Sequence, residues 1–294
     1  MANSAIERIE GRGITLAADV AGPADGPGVA LFHGGGQTRH SWHHTAGVLA
    51  DDGWRAYNTD LRGHGESDWD PQGDYSLDAF SADVREVAHT IAQHDPAHRL
   101  PALVGASLGG VASLAAIAET DEPVASALVL VDVAPHIERN GADRIGAFML
   151  EHMDDGFPDL DAVADAIAAY NPHRPRPRNV DGLRKNLRQR DGRWYWHWDP
   201  KFISGKRSSP DETRSIVDPD RLDVSARVIS ERKLPTLLIR GRQSDLLSEE
   251  GAKAFLALVP HAQFVDVADA GHMVAGDRND LFNDAVVGFL DSTR

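Results

Sequence analysis

The chain has 294 residues, of which 41% are hydrophobic and 26% charged, with no cysteine and a formal net charge of −15. This is the composition of a soluble globular protein large enough for one α/β domain carrying an insertion. It excludes disulfides, thiol catalysis and cysteine metal sites, and the acidic balance argues against nucleic acid as the main partner.

No run approaches the roughly 18 apolar residues of a membrane span. The opening MANSAIERIEGRG carries charge where a signal peptide needs an apolar core. The expectation is a cytoplasmic protein with no membrane or nucleic-acid partner.

In chain order, Ile14–Val20 alternates weakly and predicts an edge strand. Val29–Phe32 is a short buried strand that runs into HGGGQ, and Arg55–Asn58 is another that runs into TDLRGHGESD. Ser76–Gln93 predicts a helix, with Leu77, Phe80, Val84, Val87 and Ile91 on one face. A strand at Pro101–Val104 leads into a helix at Leu108–Glu119, and ALVLVDV (Ala127–Val133) is a fully buried strand. From about Ile137 to Ile229 the alternation stops. Helices are expected near Asp143–Met153 and Leu160–Tyr170, then a Pro/Arg-rich connector, then Trp194–Trp198, then a polar stretch. The rhythm resumes with a strand at Leu234–Arg240, a helix at Glu249–Val259, a strand at Gln263–Val267 and a helix at Asp280–Ser292. The pattern predicts a mostly parallel sheet with helices on both faces, built from residues 1–136 and 230–294, with a mostly helical cap over 137–229.

The stretch VGASLGG (Val104–Gly110) sits at a strand-to-helix corner. A sharp turn there strains the corner residue and crowds its neighbours two places away, which must be small; Gly105 and Gly109 meet that need. The result is an exposed Ser107 hydroxyl at a helix N-terminus, where backbone N–H groups can hold an oxyanion. This G-x-S-x-G corner makes Ser107 the candidate nucleophile.

Serine needs a base, and the base needs an orienting acid; after such a corner they come in the order acid, then histidine. His272 in DAGHMV, between the last strand and the last helix, is the candidate base. Asp245 in RGRQSD is the favoured acid, and Asp132 at the end of LVLVDV is its competitor. One oxyanion donor is expected from the N–H of Leu108. The other is expected from the glycine loop, with Gly35 the first choice and Gly36 the second. His33 is expected to orient that loop.

HGGGQTRHSW, DLRGHGESD, GASLGG, RGRQSD and AGHM, in this order and spacing, resemble the α/β-hydrolase superfamily over nearly the whole chain. Within it the chain is similar to the lidded group of esterases, lactonases, cofactor-free haloperoxidases and carbon–carbon bond hydrolases. The resemblance implies an α/β-hydrolase fold with a Ser107–His272–Asp245 triad and no cofactor or metal. Epoxide hydrolases and haloalkane dehalogenases use an aspartate nucleophile, and this chain has Ser107 in that place.

These residues together point to a serine hydrolase of carboxylic esters or lactones. Its substrate would be a medium-sized, largely apolar small molecule bound beside Gly36 and under Trp194, Trp196 and Trp198, whose alternative role is to anchor the cap. Carbon–carbon bond hydrolysis, perhydrolysis and simple ligand binding on a hydrolase scaffold stand as alternatives. A metal site built from His40, His43 and His44 is a more distant one. A homodimer is left open. Residues 171–193 hold eight basic and two acidic side chains, either a solvated face, paired with acids such as Glu151, Asp154 and Asp155, or a means of steering an anionic substrate.

Overall fold

The computed structural model describes residues 6–172, 175–177, 179–204, 217–277 and 279–294. The first part of the chain forms β1 (Ile6–Glu10), β2 (Thr15–Ala21), β3 (Gly28–Phe32), α1 (His43–Asp51), β4 (Arg55–Thr59) and α2 (Leu77–His94). Next come β5 (Ala102–Ala106), α3 (Leu108–Ala118) and β6 (Ala127–Val131). The insertion holds α4 (Arg139–Leu150), α5 (Leu160–Tyr170), a 3-10 segment at Val180–Asn186, the hairpin β7 (Leu187–Arg190) and β8 (Arg193–Trp196), and α6 (Lys201–Ser204). The chain closes with α7 (Pro219–Glu231), β9 (Thr236–Gly241), α8 (Glu249–Leu258), β10 (Gln263–Val267), α9 (Val274–Asp277) and α10 (Asn279–Asp291).

An eight-stranded sheet runs in the order β1-β2-β4-β3-β5-β6-β9-β10. Only β1–β2 and β2–β4 pair antiparallel; from β4 onward every neighbour is parallel. The central strands are buried on both faces, so they read as unbroken apolar runs. Their side chains still alternate. Leu103, Leu128, Leu130 and Leu238 enter one core, with Phe80, Val84 and Val87 of α2, Val111 of α3, Leu222 of α7 and Phe255 of α8. Val104, Val129, Val131, Leu237 and Ile239 enter the other, with Leu49 of α1 and Phe282 and Val286 of α10.

The sequence expectation departs from the structure in three places. The strand expected at the edge is second in the sheet, because IERIE adds β1 outside it. The charges of Glu7, Arg8 and Glu10 hide that strand in the sequence, and they suit an exposed edge by discouraging a further chain from pairing there. The mostly helical cap also holds a hairpin that the sequence did not suggest: Arg193–Trp196 pairs with Leu187–Arg190, and tryptophan and tyrosine favour the pleated backbone. Finally, α7 belongs to the layer around the sheet, where Leu222, Ala226 and Ile229 pack into the main core, so residues 219–229 lie outside the cap. The polar stretch expected after the tryptophans falls partly on 205–216, outside the described residues.

Candidate active site

Ser107 stands between β5 and α3 with φ 46° and ψ −114°, a conformation that L-residues rarely adopt. The neighbouring glycines make the corner feasible: a Cβ on Gly105 would sit 2.5 Å from the Gly109 carbonyl carbon, and one on Gly109 would run into the Phe32 carbonyl. Ser107 occupies the N-cap position of α3, yet its side chain makes no capping bond. The hydroxyl is therefore not spent on the helix.

On the neighbouring strand, Asp132 comes directly after β6, also at a positive φ of 52°. Its N–H donates to the Ile239 carbonyl at 2.7 Å, and its carboxylate is fully buried. One oxygen accepts the Gly241 N–H at 3.0 Å. The other accepts the Ser244 hydroxyl at 2.5 Å and lies 2.7 Å from His272 Nδ1. A carboxylate only accepts, so Nδ1 carries the proton and Nε2 keeps its lone pair. Ser107 and His272 face the same cavity.

The partner of His272 is thus Asp132, the competitor, and not Asp245, the favoured acid. Asp245 sits in the turn beyond β9 and forms a half-exposed ion pair with Arg144 of α4, 2.7 Å apart. Its backbone is pressed against Gly141, where a Cβ would lie 2.6 Å from the Asp245 carbonyl carbon. The loop carries Asp245 outward beneath the cap, while the end of β6, next to the serine's own strand, presents Asp132. Ser244 also acts beyond a turn cap: besides holding Asp132, its oxygen accepts the N–H groups of Leu246 and Leu247 at 3.1 and 3.2 Å.

The glycine loop after β3 is shaped by two buried imidazoles. His33 Nε2 accepts the Leu61 N–H at 3.0 Å, so its Nδ1 donates to the Gly34 carbonyl at 2.8 Å. His64, within DLRGHGESD, accepts the Gly36 N–H on Nε2 at 3.1 Å and donates from Nδ1 to the Arg62 carbonyl at 2.9 Å. Burial holds both rings below the usual histidine range, His64 down to about 3, with the neighbouring His33 adding to the effect. Both are neutral at pH 7, which these acceptor roles require. Sequence reasoning missed His64; a histidine in an otherwise turn-forming stretch gives no signal of its long-range partner. Its bond also occupies the Gly36 N–H, so the second-choice oxyanion donor is already engaged. The N–H groups of Gly35 and Leu108 make no hydrogen bond among the described residues, and both residues line the cavity.

Beneath the cap this cavity has a volume of about 420 Å³, walled by Ile145, Phe148, Met149, Trp196, Trp198 and Phe202 among others, with Gly36 at its base. Trp196 and Trp198 stack with ring centres 5.3 Å apart. Trp194 is not in the wall. Its backbone N–H and carbonyl pair with Phe157, and its ring lies under the Arg184 guanidinium, so it ties the hairpin to the rest of the cap.

A second cavity of about 240 Å³ opens from Ser107 and His272 on the side of His40, Ser41 and Lys185. His43 and His44 are exposed on α1. Among the described residues no three His, Asp or Glu side chains gather as a metal ion would need. Of the basic stretch 171–193, residues 173, 174 and 178 lie outside the described residues. Arg176 pairs with Asp161 and Asp165 of α5, and Arg193 donates to the carbonyls of Asp155 and Gly156. No described helix is long and apolar enough to cross a membrane.

The chain is 30% identical to Esterase Rv0045c of Mycobacterium tuberculosis, over 90% of this chain and 83% of that protein. It is 26% identical to a 3-hydroxybutyrate-oligomer hydrolase of Cupriavidus necator, over 85% and 84% of the two chains. Its fold superposes on the crystal structure of E-2-(acetamidomethylene)succinate hydrolase with a TM-score of 0.81 at 24% identity, covering 98% of this chain and all of that one. The family model described as "alpha/beta hydrolase fold" matches residues 27–278, most of the chain. With this sheet, this strained serine corner and that match together, the chain belongs to the α/β-hydrolase fold family.

Proposed function

We propose that the chain is a serine hydrolase that cleaves a carboxylic ester or lactone through an acyl-enzyme. The observation that carries this reading is the pairing of His272 Nδ1 with buried Asp132 beside the cavity that Ser107 faces. His272 Nε2 takes the Ser107 proton as Oγ attacks the carbonyl carbon. The oxyanion forms against the N–H groups of Leu108 and Gly35. Asp132 keeps the imidazole in the tautomer whose Nε2 is free and steadies its protonated form. The same proton then passes to the departing alcohol oxygen, and a water activated by His272 releases the acid.

The wall of the larger cavity suits a medium-sized, largely apolar substrate. That two relatives carry the names of an esterase and an oligomer hydrolase supports ester chemistry over carbon–carbon cleavage. The test is hydrolysis of p-nitrophenyl butanoate together with labelling by a fluorophosphonate. Both should be lost in Ser107→Ala. Undiminished turnover in that variant would overturn the reading.

A further inference from the structure

We propose that the smaller cavity is a subsite for a carboxylate borne on the alcohol half of the ester, with Lys185 as its counter-charge; this rests on the ester-hydrolase reading above. The division of labour comes from the groups that line each space. The two cavities share Ser107 and His272, but the oxyanion donors Gly35 and Leu108 border only the larger one. The proposal seats the acyl chain of a carbonyl aimed at those donors in the apolar space under the cap. The ester oxygen and the alcohol group beyond it then lie on the other side, along His272 to Ala275.

That side has a different chemistry. His40, Ser41 and Lys185 line only the smaller space, Asn186 lines both, and the larger cavity is walled mostly by aliphatic and aromatic groups, with Gln37 and Asn171 among them. Among the described residues no Asp, Glu or Arg lines either space, and Lys185 is the one ammonium. The other cations of the same stretch are engaged among the described residues. Arg176 binds two aspartates, Arg184 binds Asp181 and covers Trp194, Arg188 lies over Trp69, Arg190 lies over Tyr195, and Arg193 holds two carbonyls. Lys185 has no ion pair among the described residues.

Its neighbours are poised to help. Asn186 Oδ1 accepts the Thr38 hydroxyl at 2.7 Å, while its Nδ2 makes no bond among the described residues. His40 is held below its usual range, first by burial and then by the charge of Arg39, so near neutral pH it is an uncharged partner rather than a second cation. A net charge of −15 repels an anion at long range. Within a Debye length of about 8 Å a local unpaired ammonium dominates, so the charge acts as a selector at the site.

The experiment uses two isomeric anionic esters. Butanoyloxyacetate carries its carboxylate on the alcohol half, and monoethyl succinate carries it on the acyl half. The readout is the ratio of their kcat/KM values, in which general damage to the enzyme cancels. Wild type should favour butanoyloxyacetate, and Lys185→Ala should lower the ratio about tenfold, mainly through KM, as expected for loss of a charge-assisted contact. Lys185→Arg should restore most of the ratio and Lys185→Glu should lower it further. A ratio that is the same in wild type, Ala and Glu forms would overturn the subsite, and a ratio that rises in Lys185→Ala would place the carboxylate on the acyl side instead. If neither isomer nor neutral ethyl butanoate is cleaved in a Ser107-dependent way, the ester reading itself fails, a result distinct from an unchanged ratio.

Discussion

Asp132 and His272 meet through one hydrogen bond of 2.7 Å, and the carboxylate that accepts it is closed off from solvent. Asp245, in the turn after β9, is instead paired with Arg144 in a half-exposed contact. Asp132→Asn leaves an amide that can no longer steady the imidazolium and that favours the wrong tautomer. We expect kcat to fall by roughly 10³- to 10⁴-fold. Asp245→Asn should leave kcat/KM within about threefold, since an exposed pair contributes at most about 1 kcal/mol. Steady-state kinetics on p-nitrophenyl butanoate decides between the two acids, and the opposite ranking would restore Asp245.

Ser244 fixes the second lone pair of the oxygen that His272 uses, and two backbone N–H groups point back at its hydroxyl. Ser244→Ala frees the carboxylate to rotate and leaves the Leu246 and Leu247 N–H groups without their acceptor. A hydrogen bond to a charged group contributes about 1.5–3 kcal/mol, so kcat should drop by about ten- to a hundredfold while KM stays close to wild type. A variant impaired only in KM would mean that Ser244 touches substrate rather than aspartate.

The imidazole of His64 makes folding sensitive to acid. Its folded-state value of about 3 lies below its ordinary 6.5, so between these limits the unfolded chain binds the proton and the folded chain does not. The stabilisation is complete above about pH 6.5 and is lost as the pH falls, by about 3 kcal/mol at pH 4 from this ring alone. His33, shifted the same way by burial, adds to the slope. Urea midpoints measured from pH 8 to pH 4 should fall steadily, and less steeply in His64→Gln. An identical slope in the variant would remove His64 from this role.

The tryptophans of the cap should separate by effect. Trp196→Ala opens the wall of the larger cavity and should raise KM for a medium-chain ester by about tenfold, given the apolar area it removes. Trp194→Ala should lower Tm through the loss of cap packing and leave KM within about twofold, because it forms no part of that wall. Thermal unfolding and kinetics on the same two proteins make the comparison.

The corner at Ser107 is legible in the sequence because its demands are local: small residues two places either side, a strand before and a helix after. The parallel core is legible for a similar reason, since buried strands must be apolar throughout. The acid is not legible in the same way. Asp132 and Asp245 both come after apolar strands, and they are separated by a long-range fact, the adjacency of β6 to the serine's strand and a loop that turns outward under Gly141. Valines on both sides of Asp132 hint at burial with backbone partners. Both hold, since the Gly241 N–H donates to the buried carboxylate, but the same carboxylate also faces a histidine. His64 and the edge strand β1 escape for the converse reason, since their polar neighbours resemble ordinary surface turns.

The insertion leaves the domain after β6 and the chain rejoins it before β9, and these strands are direct neighbours, with Leu128–Val131 laddered to Thr236–Ile239. Ser107, His272 and Asp132 all lie outside that excursion. A detour bounded by adjoining strands can lengthen, shrink or be exchanged for another without pulling the reacting groups apart. On the proposed reading, chemistry and selectivity are heritable as separate traits, and a transplanted roof should bring a new diet to the same engine.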